Sequence, residues 1–196
     1  SLTMLAAPHM DVGIVTGACL SLVLFLYRTV KPRVAALSRH PDGALRDAKT
    51  HGLEACEVMA VLRFDGSLYF GSAGAFEDMV AECVASNPHL SYVIIDAEGI
   101  NQLDATGEEM LVGIVQRLGE VHVEVLFTSA KKQILDALEG TGSLELLGIK
   151  RFFGTPNQAI QSVWEKLDGG FPCHHLCPGE CPLHRAKPKG AVFYRV

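Results

Sequence analysis

Apolar positions follow two different patterns along this chain. From Val12 to Tyr27 the run VGIVTGACLSLVLFLY is uncharged, and as a helix it would span roughly 24 Å, against a hydrocarbon core of roughly 30 Å. Pro8 and Asp11 interrupt its extension toward the N-terminus, so residues 4 to 30 read as a frayed or truncated membrane-spanning helix. Arg28, Lys31, Arg33, Arg39, Arg46 and Lys49 follow it, whereas residues 1 to 11 hold no Lys or Arg. By the positive-inside rule this asymmetry puts the rest of the chain in the cytoplasm. Two rival readings compete. A signal peptide carries its positive charges before the apolar run, not after it, and a buried helix of a water-soluble protein can be as long as this one. Gly13, Gly17 and Ser21 recur every fourth residue, lining one helix face with small side chains that permit close helix packing.

After the run the pattern changes. Residues 31 to 55, rich in Pro, Arg, His, Asp and Gly, lack sustained apolar periodicity and read as a basic linker. Val58–Phe64 and Ser67–Phe70 read as paired strands around an Asp65-Gly66 hairpin turn. Phe76, Met79, Val80, Cys83 and Val84 form a helical stripe that ends near Asn87-Pro88. Tyr92–Asp96 is a buried strand by its β-branched apolar run. Met110, Leu111, Ile114, Val115 and Leu118 make a second helical stripe, Val121–Phe127 a further strand, and Ser129 a cap for a third helix through Leu138. Thr155-Pro156 opens a fourth helix, whose buried face is Ala159, Ile160, Val163, Trp164 and Leu167. With a short strand near Arg151–Phe153, these elements make an α/β fold: a small mixed sheet packed with about four helices and preceded by a partial transmembrane helix. Four segments follow: 1–30, the helix end; 31–55, the linker; 56–168, the folded domain; and 169–196, a tail.

Composition narrows the function. At 196 residues and 48% hydrophobic, the chain can bury one ordinary core with appendages. A net charge of -5 offers no broad cationic field, so nucleic acid is not an expected partner. Six cysteines, three of them crowded into the tail, fit a reducing compartment better than a secreted disulfide framework.

The chemistry concentrates between the third strand and second helix, in Asp96-Ala97-Glu98-Gly99-Ile100-Asn101-Gln102-Leu103-Asp104-Ala105-Thr106-Gly107. Thr106 with Glu109 reads as a capping box. Gly107 allows close backbone approach, and the helix N-terminus favours an anion or phosphate beside it. Asp96, Glu98 and Asp104 could be mistaken for a catalytic acid pair, but no companion nucleophile or metal set accompanies them. Walker, zinc-protease and nucleophile-elbow motifs are missing from the sequence, so no enzymatic activity is expected.

The run VIIDAEGINQLDATG resembles the central motif of STAS domains, in which a strand ends in Asp and a loop leads to Asp-Ser-(Ser/Thr)-Gly at a helix start. With PHMDVGIVTGACLSLVLFLYRTVKPRVA and VLRFDGSLYFGSAGAFED upstream, residues 3 to 168 resemble the C-terminal region of bacterial SulP anion permeases: last transmembrane helix, linker and STAS domain. The resemblance implies a cytosolic regulatory and assembly module at the bacterial inner membrane, generally dimeric. Its implied partners are the remaining transmembrane domain and a cytosolic regulatory protein, and the intact transporter would carry sulfate or another inorganic anion. The regulatory loop, a candidate anion or partner site, would be Asp96, Asp104, Ala105, Thr106 and Gly107. In the anti-sigma-factor antagonists that share the fold, the residue after the loop Asp is a phosphorylated Ser. Here it is Ala105, which has no hydroxyl, so the permease branch is the expected one. The alternative is a soluble partner-switch protein working through Thr106.

The tail FPCHHLCPGECPLHR falls outside this resemblance. Cys173, Cys177, Cys181 and His184 offer three thiolates and an imidazole, a donor set suited to tetrahedral zinc in an unusually contiguous spacing. An iron-sulfur cluster could use the same donors, which makes a metal or redox sensor a third reading. The folded domain itself is expected to need no cofactor.

Overall fold

The structure, a computed structural model, describes residues 10–30, 33–40, 44–53 and 55–167. It divides between Pro32 and Arg33 into two compact units. The first contains helix α1, Met10–Val30, whose 21 residues span about 31 Å at a rise of 1.5 Å each. Its side chains are described from Asp11 to Phe25. Val12, Ile14, Val15, Leu20 and Leu22 through Phe25 are all half or more exposed. Among the described residues no helix is long and apolar enough to cross a membrane. Gly13, Gly17 and Ser21 do fall on one continuous helix, at the spacing that puts them on a common face.

The second unit is a mixed α/β fold. Its strands are β1 (Arg33–Arg39), β2 (Leu45–Asp47), β3 (Met59–Leu68), β4 (Tyr92–Asp96), β5 (Ile100–Leu103), β6 (Glu124–Thr128) and β7 (Phe152–Phe153). Its helices are α2 (Ala48–His51), α3 (Phe70–Ser86), α4 (Ala105–Glu120), α5 (Lys132–Thr141), α6 (Ser143–Leu147) and α7 (Pro156–Leu167). The sheet runs β2-β1-β3-β4-β6-β7, with β5 paired to the far end of β3. β3, β4, β6 and β7 are parallel, whereas β1 and β2 are antiparallel at one edge.

The two-residue period of the strands sorts side chains to opposite faces. Leu62, Phe64, Val93, Ile95, Val125 and Phe127 join one core with Phe76, Ile114, Ile134 and Leu147 from α3 to α6. Val61, Ile94 and Leu126 point the other way, against Ala159, Ile160 and Val163 of α7. Burial on both faces is why β4 and β6 read as continuous apolar runs.

Several expectations change. Residues 31–55 are not simply a linker: β1 and β2 lie there, and β1 pairs with β3 from Arg33↔Asp65 to Leu37↔Val61. These strands are stabilised by non-local pairing at an edge, where polar residues are tolerated, so no local periodicity announces them. Asp65-Gly66 is no hairpin turn. β3 continues through both residues and pairs with β5 beyond them, Gly66 opposite Ile100. Ser129 does not cap the third helix. It sits at φ 56, and α5 begins at Lys132 with Lys131 as N-cap. Thr155 does cap α7, its hydroxyl accepting the Gln158 N–H at 3.3 Å while Gln158 Oε1 accepts the Thr155 N–H at 3.1 Å.

α4 ends in a Schellman motif. The Val123 N–H bonds to the Leu118 carbonyl at 2.8 Å and the His122 N–H to that of Gly119 at 3.1 Å. The motif puts His122 at φ 60, where a side chain is disfavoured. His122→Gly is therefore expected to stabilise the unit by about 0.5–1 kcal/mol, the relief of strain outweighing the entropy of the added glycine. A raised urea midpoint at unchanged slope would show it, and a lowered midpoint would contradict it.

Candidate functional site

Asp104 closes the loop before α4 and organises two helix starts at once. One carboxylate oxygen accepts the Gly107 N–H at 2.8 Å, capping α4, and the other accepts the Phe70 N–H at 3.1 Å, at the start of α3. Its own N–H donates to the Leu68 carbonyl at 3.1 Å. The capping box read for Thr106 and Glu109 is thus displaced. Thr106 lies inside the first turn and Asp104 is the N-cap. The carboxylate also occupies the place where the helix dipole would favour an external anion. Gly107 is required by close approach, since a Cβ there would stand 2.6 Å from the Leu68 carbonyl oxygen and 2.8 Å from Leu103 Cδ1.

Asp104→Ala, which removes both acceptors, is expected to cost about 1–2 kcal/mol, and Asp104→Asn, which keeps one carbonyl oxygen, roughly half of that. Amide hydrogen exchange at Phe70 and Gly107 separates the two bonds. If alanine and asparagine were equivalent at both amides, the double role would be wrong.

A second polar group lies where β4 and β6 end beside the middle of β3, aligned by the register Arg63↔Asp96↔Thr128. Arg63 Nε donates to Asp65 at 3.0 Å and Nη1 to Glu98 at 2.8 Å, with Asp96 Oδ2 3.7 Å from Nη1. The Asp96 side chain is only 4% exposed. It also receives the Thr128 hydroxyl and the Glu98 N–H, each at 3.4 Å. Burial disfavours the charge on Arg63, but the hydrogen bond to Asp65 and the charges of Asp65, Glu98 and Asp96 more than offset that, raising its pKa. Gly99 closes this group, since a Cβ on it would collide with the Phe64 carbonyl oxygen and with Asp65.

The hydrogen bonds therefore divide the expected loop in two. Asp104, Ala105, Thr106 and Gly107 form the start of α4, while Asp96, at the end of β4, belongs with Glu98 and with Arg63 and Asp65 of β3. Ala105 is exposed, and Thr106 lines a shallow groove between α3 and α4 with Glu77, Glu109 and Arg117. Arg117 and Glu77 are ion-paired across that groove. Among the described residues no group of three or more His, Cys, Asp or Glu is arranged to hold a metal. Cys173, Cys177, Cys181 and His184 lie outside the described residues.

Sequence reasoning missed Arg63 and Glu108. Glu108 is 7% exposed, and one of its oxygens accepts hydroxyl bonds from Thr141 at 2.6 Å and Ser143 at 3.0 Å, tying α4 to the α5–α6 corner. An Arg inside the apolar run VMAVLRF was the available signal for Arg63. For Glu108 there was none.

The family profile of the STAS domain matches residues 50–159, more than half of the chain, and the chain belongs to that family. Curated relatives that it matches are named as sulfate transporters. Probable sulfate transporter 4.2 of Arabidopsis thaliana is 23% identical over 163 residues, 77% of this chain and 24% of its own length. The chain spans about a quarter of the length of the curated relatives it matches. Among solved structures, the murine Slc26a9 anion transporter in the inward-facing state superposes with a TM-score of 0.68 at 16% identity, covering 78% of this chain and 25% of that one. A sulfate transporter family protein from Wolinella succinogenes superposes at 0.51 and 20% identity, covering 66% of this chain and 98% of that one. At these identities the superpositions show a shared fold.

Proposed function

We propose that this chain is the cytosolic regulatory and assembly domain of a secondary anion transporter of the sulfate type, together with the end of its last membrane helix. The observation that carries the reading is the order within one chain: the apolar α1, six basic residues between 28 and 49, and then a STAS unit similar to proteins named sulfate transporters. In this reading α1 lies in lipid, and its exposed apolar side chains face acyl chains or neighbouring helices. The charge asymmetry keeps the folded unit on the cytosolic side. The rest of the membrane domain and a second copy are its partners, and the surface from Asp104 to Gly107 is the region for protein contact. Transport itself needs a pathway that one helix cannot enclose.

The test is the complete reading frame. Several further apolar spans are expected upstream of Thr3, and cells expressing that frame should take up radiolabelled sulfate or a related anion, with uptake impaired when residues 33–167 are deleted. A frame that begins near residue 1 would overturn the proposal.

A specific observation keeps the partner-switch reading in view. Asp104, not Thr106, caps α4, so the Thr106 side chain is released from the capping role expected of it. Phosphate on Thr106 in protein from native cells would support switching, and its absence across growth conditions would exclude it.

A further inference from the structure

We propose that the β2–α2 corner of the folded unit, centred on Arg46 and Lys49, is an electrostatic docking surface for anionic phospholipid headgroups. This rests on the reading that α1 lies in lipid. Charge is strongly segregated along the chain: residues 28–51 hold six of the 17 Lys and Arg but two of the 22 Asp and Glu, a net +4, against -9 for everything else. The sheet delivers the later part of that segment to its margin, because β2 is the outermost strand. Arg46, Lys49, Thr50 and His51 are all exposed there.

Asp47 is the one acid among the described residues of this corner, and its carboxylate turns to the backbone. It accepts the Lys49 N–H at 2.9 Å and the Thr50 N–H at 3.0 Å. The Lys49 ammonium is thus left to project from a short helix that ends at Gly52. A polybasic stretch beside a membrane helix gains attraction to an anionic leaflet that decays within a Debye length, so it acts only at the headgroups themselves. The segment follows the apolar α1 directly in sequence, so headgroups are the polyanion nearest to it when α1 lies in lipid, whereas free RNA would have to approach a chain of net charge -5. Basic residues also blunt a sheet edge against pairing, but that role makes no distinction between lipids.

The full chain would be reconstituted into vesicles of phosphatidylcholine alone, or with about 30 mol % phosphatidylserine, a strongly anionic leaflet. Amide hydrogen exchange would be followed over residues 44–53. Exchange is expected to slow in the anionic vesicles by about fivefold for each engaged basic residue. High salt should reverse the protection, and so should the double variant R46E/K49E, which stays vesicle-bound. If the chain associates with neither vesicle, the lipid reading of α1 and this inference fall together. Association with both vesicles but identical exchange at 44–53 overturns this inference alone. Equal protection of the segment by single-stranded RNA without vesicles would overturn the choice of lipid.

Discussion

Gly99→Ala is expected to destabilise the folded unit by about 3 kcal/mol, the upper end of the range for an inserted methyl, because the added carbon meets backbone that cannot move aside. The collision is with the Phe64 carbonyl oxygen and the Asp65 Cα, the latter at 2.8 Å, in the middle of the longest strand. Gly107→Ala should follow at about 2 kcal/mol, since one of its two close contacts is the flexible end of Leu103. Gly113→Ala is the control. It lies within α4, its nearest neighbour would be the Arg117 guanidinium at 3.9 Å, and alanine there should stabilise by about 0.5–1 kcal/mol through helix propensity alone. Urea titrations of the three variants would decide. A neutral Gly99→Ala would mean that the turn after β4 does not press on β3 as described.

The contrast between these glycines shows what the sequence could and could not convey. β4 was legible to the residue because Tyr92–Asp96 is buried on both faces, leaving an unbroken β-branched run between polar flanks. α7 was legible because its capping box is local, within Thr155 to Gln158. The choice of cap for α4 was not. Asp104 and Thr106 are both good caps, and a bond from Asp104 to Phe70, 34 residues away, helps fix the first. Asp65-Gly66 carried a turn signal that lost to pairing of β3 with β1 on one side and β4 then β5 on the other. Local propensity amounts to about 1 kcal/mol at such a site, less than several ladder bonds and a buried strand contribute together. The STAS motif was read as one loop because its residues are contiguous, yet the fold sends Asp96 to the strand ends and Asp104 to the helix starts.

In β3, beside the end of β4, Arg63→Met is expected to destabilise by about 2–3 kcal/mol, at or below the low end of the range for breaking a buried pair, because the Arg63 side chain is a third exposed. Distance alone would assign the loss to Glu98, which is nearer at 2.8 Å than Asp96 at 3.7 Å. Burial argues the other way. Glu98 is 62% exposed, and a solvated pair couples by about 0–1 kcal/mol. Asp96, shielded from water, keeps more of its attraction to Arg63 despite the longer separation. Double-mutant cycles should therefore give a coupling of about 1–2 kcal/mol between Arg63→Met and Asp96→Asn, and under about 1 kcal/mol between Arg63→Met and Glu98→Gln. The Asp96→Asn background should recover much of what Arg63→Met loses, since no charge is then left buried without a partner. A larger coupling to Glu98 than to Asp96 would refute the ordering. With three carboxylates around one guanidinium, an inorganic anion reaching this end of the sheet meets net negative charge.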